Sequence, residues 1–251
     1  MSVDEELDQS ATLEQWCSSV KSGDQVLHIR NGSSVLHLSH RDSSVRGCLA
    51  PGWQGLLAWR QGLQVVEGSA EVLPLSCASL VKLQFFIDQG VAPDLQVSSG
   101  EPWAALSDEG VKHQTLAELE SWYLAQSLQG GEAYRGFAHH LRRSESYQLL
   151  GFLLERGANS EKLQDLAGRY GVSVSHFRRL CRQALGGAAK SELRGWRAAK
   201  ALLTMAEGTG SLTDVALEFG YASSSHFSKE VRELVGVTPS SLIDITRLSS
   251  D

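Results

Sequence analysis

The sequence predicts an α+β chain. A β-rich N-terminal domain spans residues 1–100 and a helical connector spans 101–143. An all-α C-terminal domain of two helix-turn-helix units joined by a linker helix spans 144–251. Three observations predict it. Short apolar runs punctuated by glycine fill residues 24–97, the pattern of strands and turns. Beyond residue 102 the apolar residues recur at helical spacing. A block that begins at Asp165 returns about fifty residues later, beginning at Asp214.

In the N-terminal part, runs at 26–29 and 35–38 flank Asn31-Gly32. This is a two-residue hairpin signal, because both residues tolerate positive φ. Further strands are expected at 55–59, 63–66 and 71–75. Trp53, Trp59, Phe85 and Phe86 are read as core, with a ligand pocket as the alternative. His28, His37 and His40 invite a metal reading, but no carboxylate or further histidine completes a ligand set in the sequence. Stretches 103–128 and 134–157 read as helices.

The repeat carries most of the information. DLAGRYGVSVSHFRRLCRQALG at 165–186 matches DVALEFGYASSSHFSKEVRELVG at 214–236, with one extra residue in the second copy. Ala167 aligns with Ala216, Gly171 with Gly220, the Ser-His-Phe at 175–177 with that at 225–227, and Gly186 with Gly236. In the first copy Leu163, Leu166, Ala167 and Tyr170 form one helical face. Gly171 suits a left-handed C-cap, and Ser173 offers an N-cap oxygen to a second helix. Phe177, Leu180, Cys181 and Ala184 face inward from that helix. In the second copy Leu212, Val215, Ala216 and Phe219 form the first helix, Gly220 the turn and Ser223 the cap. Phe227, Val231 and Leu234 line the second helix. Between the copies, residues 190–208 read as one helix with a basic stripe of Lys190, Arg194, Arg197 and Lys200.

A helix-turn-helix lays its second helix in the major groove, with the N-terminal residues touching base edges. The polar residues there are Ser175, Arg178, Arg179 and Arg182 in the first unit, and Ser224, Ser225, Ser228 and Lys229 in the second. Arginine pairs bidentately with guanine, whereas serine is less selective. His176 and His226 precede the core phenylalanines and are read as packing or phosphate contacts. Lys190, Arg194 and Arg197 are expected on phosphates, which fix register without reading sequence. A stiff linker lets one chain span two successive major-groove segments.

Charge distribution agrees. The net charge is −6, but residues 161–200 hold 9 Lys and Arg against 3 Asp and Glu. Residues 1–139 hold 8 against 17. The basic stretch meets a polyanion while the rest repels one. The second unit is the weaker partner: residues 211–239 hold 2 basic and 4 acidic side chains.

Several classes are disfavoured. No apolar run is long enough to span a bilayer, and the start MSVDEELDQS lacks the basic and apolar regions of a secretory signal. A cytoplasmic location without membrane contact is expected. Cys17, Cys48, Cys77 and Cys181 show no C-x-x-C spacing and read as free, mostly buried thiols. No phosphate-cradling glycine loop, nucleophile elbow or H-E-x-x-H occurs. No catalytic residue, metal or cofactor is therefore expected.

These residues resemble the AraC/XylS family of transcription regulators. The resemblance rests on ALEFGYASSSHF at 216–227 and GVTPSSL at 236–242, and covers residues 144–247. SESYQLLGFLL at 144–154 and VSHFRRLCRQALGGAAKSELRGWRAAKALL at 174–203 are similar to the invasion-gene activators of bacterial type III secretion systems. The resemblance implies two helix-turn-helix units on a long helix, bound to promoter DNA, behind a β-rich N-terminal domain with a regulatory or dimerising role. A contact with RNA polymerase is expected of the weakly charged second unit, and homodimerisation is a further expectation. It implies activation of secretion and effector genes with a type III secretion chaperone as coactivator. Carried over residue by residue, the family's base contacts fall on Ser175, Arg178, Arg179, Ser224, Ser225, Ser228 and Lys229. Two other readings stay open from sequence: a small-molecule-responsive regulator, and a protein-interaction module with degenerate helix-turn-helix units.

Overall fold

A computed structural model describes residues 12–19, 25–59, 62–73, 79–91, 102–108, 115–156, 162–208 and 210–242. The chain divides into two compact units, Met1–Gln148 and Leu149–Asp251.

The first unit carries two antiparallel sheets. Strands β1 (Gln25–Asn31), β4 (Gln54–Trp59), β6 (Ala70–Val72) and β7 (Trp103–Ser107) make one, in the order β6-β1-β4-β7. Strands β2 (Leu36–His40), β3 (Ser43–Leu49) and β5 (Leu63–Glu67) make the other, in the order β3-β2-β5. Leu27, Ile29, Leu57 and Trp59 of the first sheet share one core with Leu36, Leu38, Leu49 and Leu63 of the second. Leu13 of the short helix α1 (Leu13–Ser19) joins them. Strand β4 is buried along nearly its whole length. Successive side chains of a strand point to opposite faces, so a strand covered on both sides reads as a continuous apolar run. The second cover is helix α4 (Glu132–Arg142), which packs on β4 and β7.

The expected hairpin at Asn31-Gly32 does not form. Strand β1 pairs with β4 and β6, and β2 pairs with β3 and β5, so the two runs enter different sheets. Asn31 is buried, and its amide donates to the carbonyls of Ser34, Leu49 and Ala50 at 2.9, 3.1 and 2.6 Å. A side chain that holds three separate carbonyls fastens a sheet-to-sheet crossover, where a hairpin turn would leave it in solvent. Residues 103–107, expected as helix, form β7, whose pairing with β4 (Trp103↔Trp59 to Ser107↔Gly55) outweighs the helix propensity of its alanines. The first sheet thus extends past residue 100.

Helix α2 (Ser79–Gly90) lies within the stretch read as strand-rich. Its buried Leu80, Val81, Gln84 and Phe85 follow helical spacing. Helix α3 (Leu116–Gln129) starts at a capping box of Thr115 and Glu118. A polar network ties these helices together. Gln84 accepts from the hydroxyls of Tyr123 at 2.7 Å and Tyr134 at 2.9 Å, and donates to Asp88. Arg142 grips Asp88 through two hydrogen bonds of 2.8 Å, and Tyr147 donates to the same carboxylate. The single helix expected at 134–157 is two helices, α4 and α5 (Glu145–Arg156). Ser144 breaks it, because its hydroxyl accepts from the amide of Tyr147 as an N-cap does.

The second unit holds α6 (Leu163–Tyr170), α7 (Val174–Leu185), α8 (Ala189–Ala206), α9 (Leu212–Glu218) and α10 (Ser224–Val235). No helix is long and apolar enough to cross a membrane among the described residues.

Candidate nucleic-acid interface

Helices α6 and α7 make the first helix-turn-helix. Gly171 takes φ +83°, and its amide and that of Val172 both reach the carbonyl of Ala167. These bonds satisfy a carbonyl that would otherwise lack a partner at the helix end. The Ser173 hydroxyl accepts from the amide of His176 at 3.3 Å and starts α7. Phe177 is fully buried, edge-on to Phe152 and tilted against Tyr170. With Leu180, Cys181, Ala184 and Leu185 it fixes which side of α7 faces outward. Helix periodicity then leaves Ser175, Arg178, Arg179 and Arg182 exposed. Among the described residues no acidic side chain pairs with the three arginines. His176 is half-buried and Lys190 is exposed.

Helices α9 and α10 repeat the arrangement. Ser211 and Asp214 form a capping box on α9. Gly220 takes φ +72°, and Ser223 accepts from the amide of His226 at 3.1 Å. Phe227 and Val231 are fully buried. Ser225 and Lys229 are exposed, while Ser224 and Ser228 are half-buried. The ring of His226 stands edge-on to Tyr221.

The basic stripe of α8 meets a different fate from the one expected. Arg194 donates to Glu230 at 2.7 Å and also to Glu233. Arg197 donates to both oxygens of Glu230 at 3.0 and 3.2 Å, and its guanidinium lies 4.3 Å from the centre of the Tyr221 ring. The Tyr221 hydroxyl donates to Glu230 at 2.8 Å. Both arginines are thus paired with carboxylates of α10, Arg194 half-exposed and Arg197 largely buried, partners that the sequence did not reveal. Lys200 is half-buried, and its ammonium donates to the carbonyl of Leu154 at 2.8 Å, near the C-terminal end of α5. That is a favourable place for a cation, and Lys200 too is withdrawn from the stripe. Only Lys190 stands exposed among the four.

Burial pushes the Glu230 carboxyl up, but hydrogen bonds from Arg194, Arg197 and Tyr221 outweigh it and hold the group below its ordinary value. Burial and the bond to Glu230 push Tyr221 up to about 12. Two of the four acids of the second helix-turn-helix, Glu230 and Glu233, are therefore paired internally. The sequence reading missed Glu230. The signal was present in the repeat, where Glu230 occupies the inward position held by Leu180 in the first copy.

In the first unit, His28 gains a partner the sequence did not reveal. Its Nε2 lies 2.7 Å from Asp108, and both residues are buried. His37 lies in the other sheet. Among the described residues no three His, Cys, Asp or Glu side chains gather as a metal site. Trp59 and Phe85 are core, Trp53 is partly buried and Phe86 is partly exposed. Of the thiols, Cys181 is buried, Cys17 is half-buried and Cys48 is exposed, contrary to the expectation of burial. Cys77 lies outside the described residues.

A family model described as "Helix-turn-helix domain" matches residues 166–244. Invasion protein InvF of Salmonella typhimurium is 42% identical over 185 residues, covering 73% of this chain and 86% of its own. Transcriptional regulator MxiE of Shigella flexneri is 40% identical over 111 residues, covering 43% of this chain and 52% of its own. Among solved structures, a DNA-binding transcriptional dual regulator from Escherichia coli K-12 aligns with 41% of this chain and 92% of its own. The identity is 21% and the TM-score 0.37.

Proposed function

This chain belongs to the AraC-type helix-turn-helix regulators related to InvF and MxiE, and on that premise we propose that it is a sequence-specific DNA-binding activator of type III secretion and invasion genes. The observation that carries the reading is the outer face of α7. Arg178, Arg179 and Arg182 stand exposed on a helix whose inner face and N-cap are locked. A docked helix with free cations at its solvent face suits a major groove. Ser175, Arg178 and Arg179 read base edges, with Ser224, Ser225, Ser228 and Lys229 as the weaker second set. His176, Arg182 and Lys190 hold phosphates.

The finer reading adds a type III secretion chaperone as coactivator, contact with RNA polymerase, homodimerisation through the N-terminal unit and a cytoplasmic location. A physical argument supports the coactivator. An acidic N-terminal half repels DNA, so binding alone is weak. The role is non-enzymatic. Two experiments test the proposal. Full-length protein is titrated against promoter DNA of secretion genes at several salt concentrations. Salt-sensitive, sequence-preferring binding is expected, and its absence overturns the DNA reading. A promoter reporter is then assayed with and without the candidate chaperone. Activity independent of the chaperone removes the coactivator, and repression removes activation.

A further inference from the structure

We propose that Glu230 is a positioning residue: a buried carboxylate clamp on α10 that locks the second reading helix to the linker helix α8 and thereby sets the spacing between the two DNA segments the chain reads. The inference rests on the DNA-binding reading and deepens it.

The two units are copies, yet they differ in what they bury. At the inward position three residues after the core phenylalanine, the first copy has Leu180 and the second has Glu230. Both are buried, Leu180 at 5% exposure and Glu230 at 4%. An apolar contact such as that of Leu180 is non-directional. Glu230 accepts four hydrogen bonds: two from Arg197, one from Arg194 and one from Tyr221. Both arginines come from α8, one turn apart. Tyr221 comes from the turn of the second unit and also lies under the Arg197 guanidinium. Glu233, one turn further along α10, takes the other arm of Arg194.

A network of this kind is a poor source of stability, because well-packed apolar residues often do as well or better. Its distinctive property is directional. Guanidinium N–H donors lie at fixed angles in one plane, and here they are divided among both oxygens of Glu230 and Glu233, so sliding or rotating α10 along α8 breaks several bonds at once. A helix whose orientation is held this way reads its segment at one separation from the first. Inserting one base pair moves the second segment by about 3.4 Å and turns it by roughly 35°.

The test uses the full-length chain and a duplex selected by the wild-type protein from random sequence. Affinities are measured for that duplex and for versions lengthened or shortened by one base pair between the two protected segments. Wild type is expected to bind about 10-fold or more weakly on either change, the scale of one mismatched base pair. The variant E230L/R197L replaces the buried pair by apolar side chains, and thermal melting checks that it is folded. It is expected to melt cooperatively yet to discriminate spacing by only about 2-fold, against the larger discrimination expected from a fixed helix. A folded variant with wild-type discrimination overturns the proposal. Should E230L/R197L not fold, Arg194→Ala decides, since it removes one half-exposed arm of the clamp. Reduced discrimination supports the clamp, and unchanged discrimination overturns it. Wild-type protein that selects no sequence overturns the DNA reading itself, and the clamp with it.

Discussion

Arg178 and Arg179 stand on adjacent positions near the start of α7, exposed and without an acidic partner among the described residues. On the proposed reading, Arg178→Ala or Arg179→Ala costs about 1–3 kcal/mol of binding to the preferred duplex and less to a scrambled one. Competition binding on both duplexes checks this, and an equal loss on both identifies a phosphate contact. Glu230 yields a prediction of a different kind. Its carboxyl titrates below its ordinary value of 4.5 in the folded protein. A depressed carboxylate contributes stability above its unfolded value and loses it as pH falls through the folded value. In Glu230→Gln that part of the acid-side loss disappears, so denaturant unfolding shows a flatter dependence on pH below about 4.5. Both predictions concern charged side chains, but only the first was legible as written in the sequence. Arg178 and Arg179 sit on a polar helix face, whereas the arginine partners of Glu230 come from a helix more than thirty positions away.

At the scale of the element, the caps and turns were readable because they are local. Gly171, Ser173, Gly220 and Ser223 do in the structure what their types require at those places. The inward faces were readable for the same reason, save that Leu234, expected on the inner face of α10, is exposed and Glu230 is buried there instead. Phe177→Ala opens a cavity among the rings of Phe152 and Tyr170 and is expected to cost about 3–5 kcal/mol, measured by denaturant unfolding. The basic stripe of α8 shows where local reading stops. Helical spacing places Lys190, Arg194, Arg197 and Lys200 along one helix but says nothing about the partners facing them. Lys200 meets the carbonyl of Leu154. Lys200→Ala is expected to lower stability by about 0.5–1.5 kcal/mol and to leave the salt dependence of DNA binding unchanged. Unfolding and salt-titrated anisotropy measure the two halves of that statement. The strands behaved like the stripe. Each run of apolar residues was identifiable, but the pairing of β1 with β4 and β6 in place of β2 was not.

For the whole molecule, charge and its placement govern affinity. Residues 161–200 carry the excess of positive charge, yet Arg194, Arg197 and Lys200 spend theirs within the fold. The cations left for a polyanion concentrate on α7 and at Lys190. The double variant Arg182→Ala with Lys190→Ala is expected to flatten the slope of log K against log salt by about two units, one for each phosphate no longer neutralised. Fluorescence anisotropy over a range of salt concentrations checks it, and an unchanged slope assigns both residues to solvent. The amino-acid sequence alone determined the α+β class, the duplicated helix-turn-helix, its caps and its outward arginines. Those features depend on residues a few positions apart, where helix geometry makes neighbours predictable. Tertiary structure alone decided the strand order, the buried pair of His28 and Asp108, and the clamp of Glu230 by Arg194, Arg197 and Tyr221. These join residues distant in sequence, and a side chain's charge does not reveal which opposite charge the fold will bring to it.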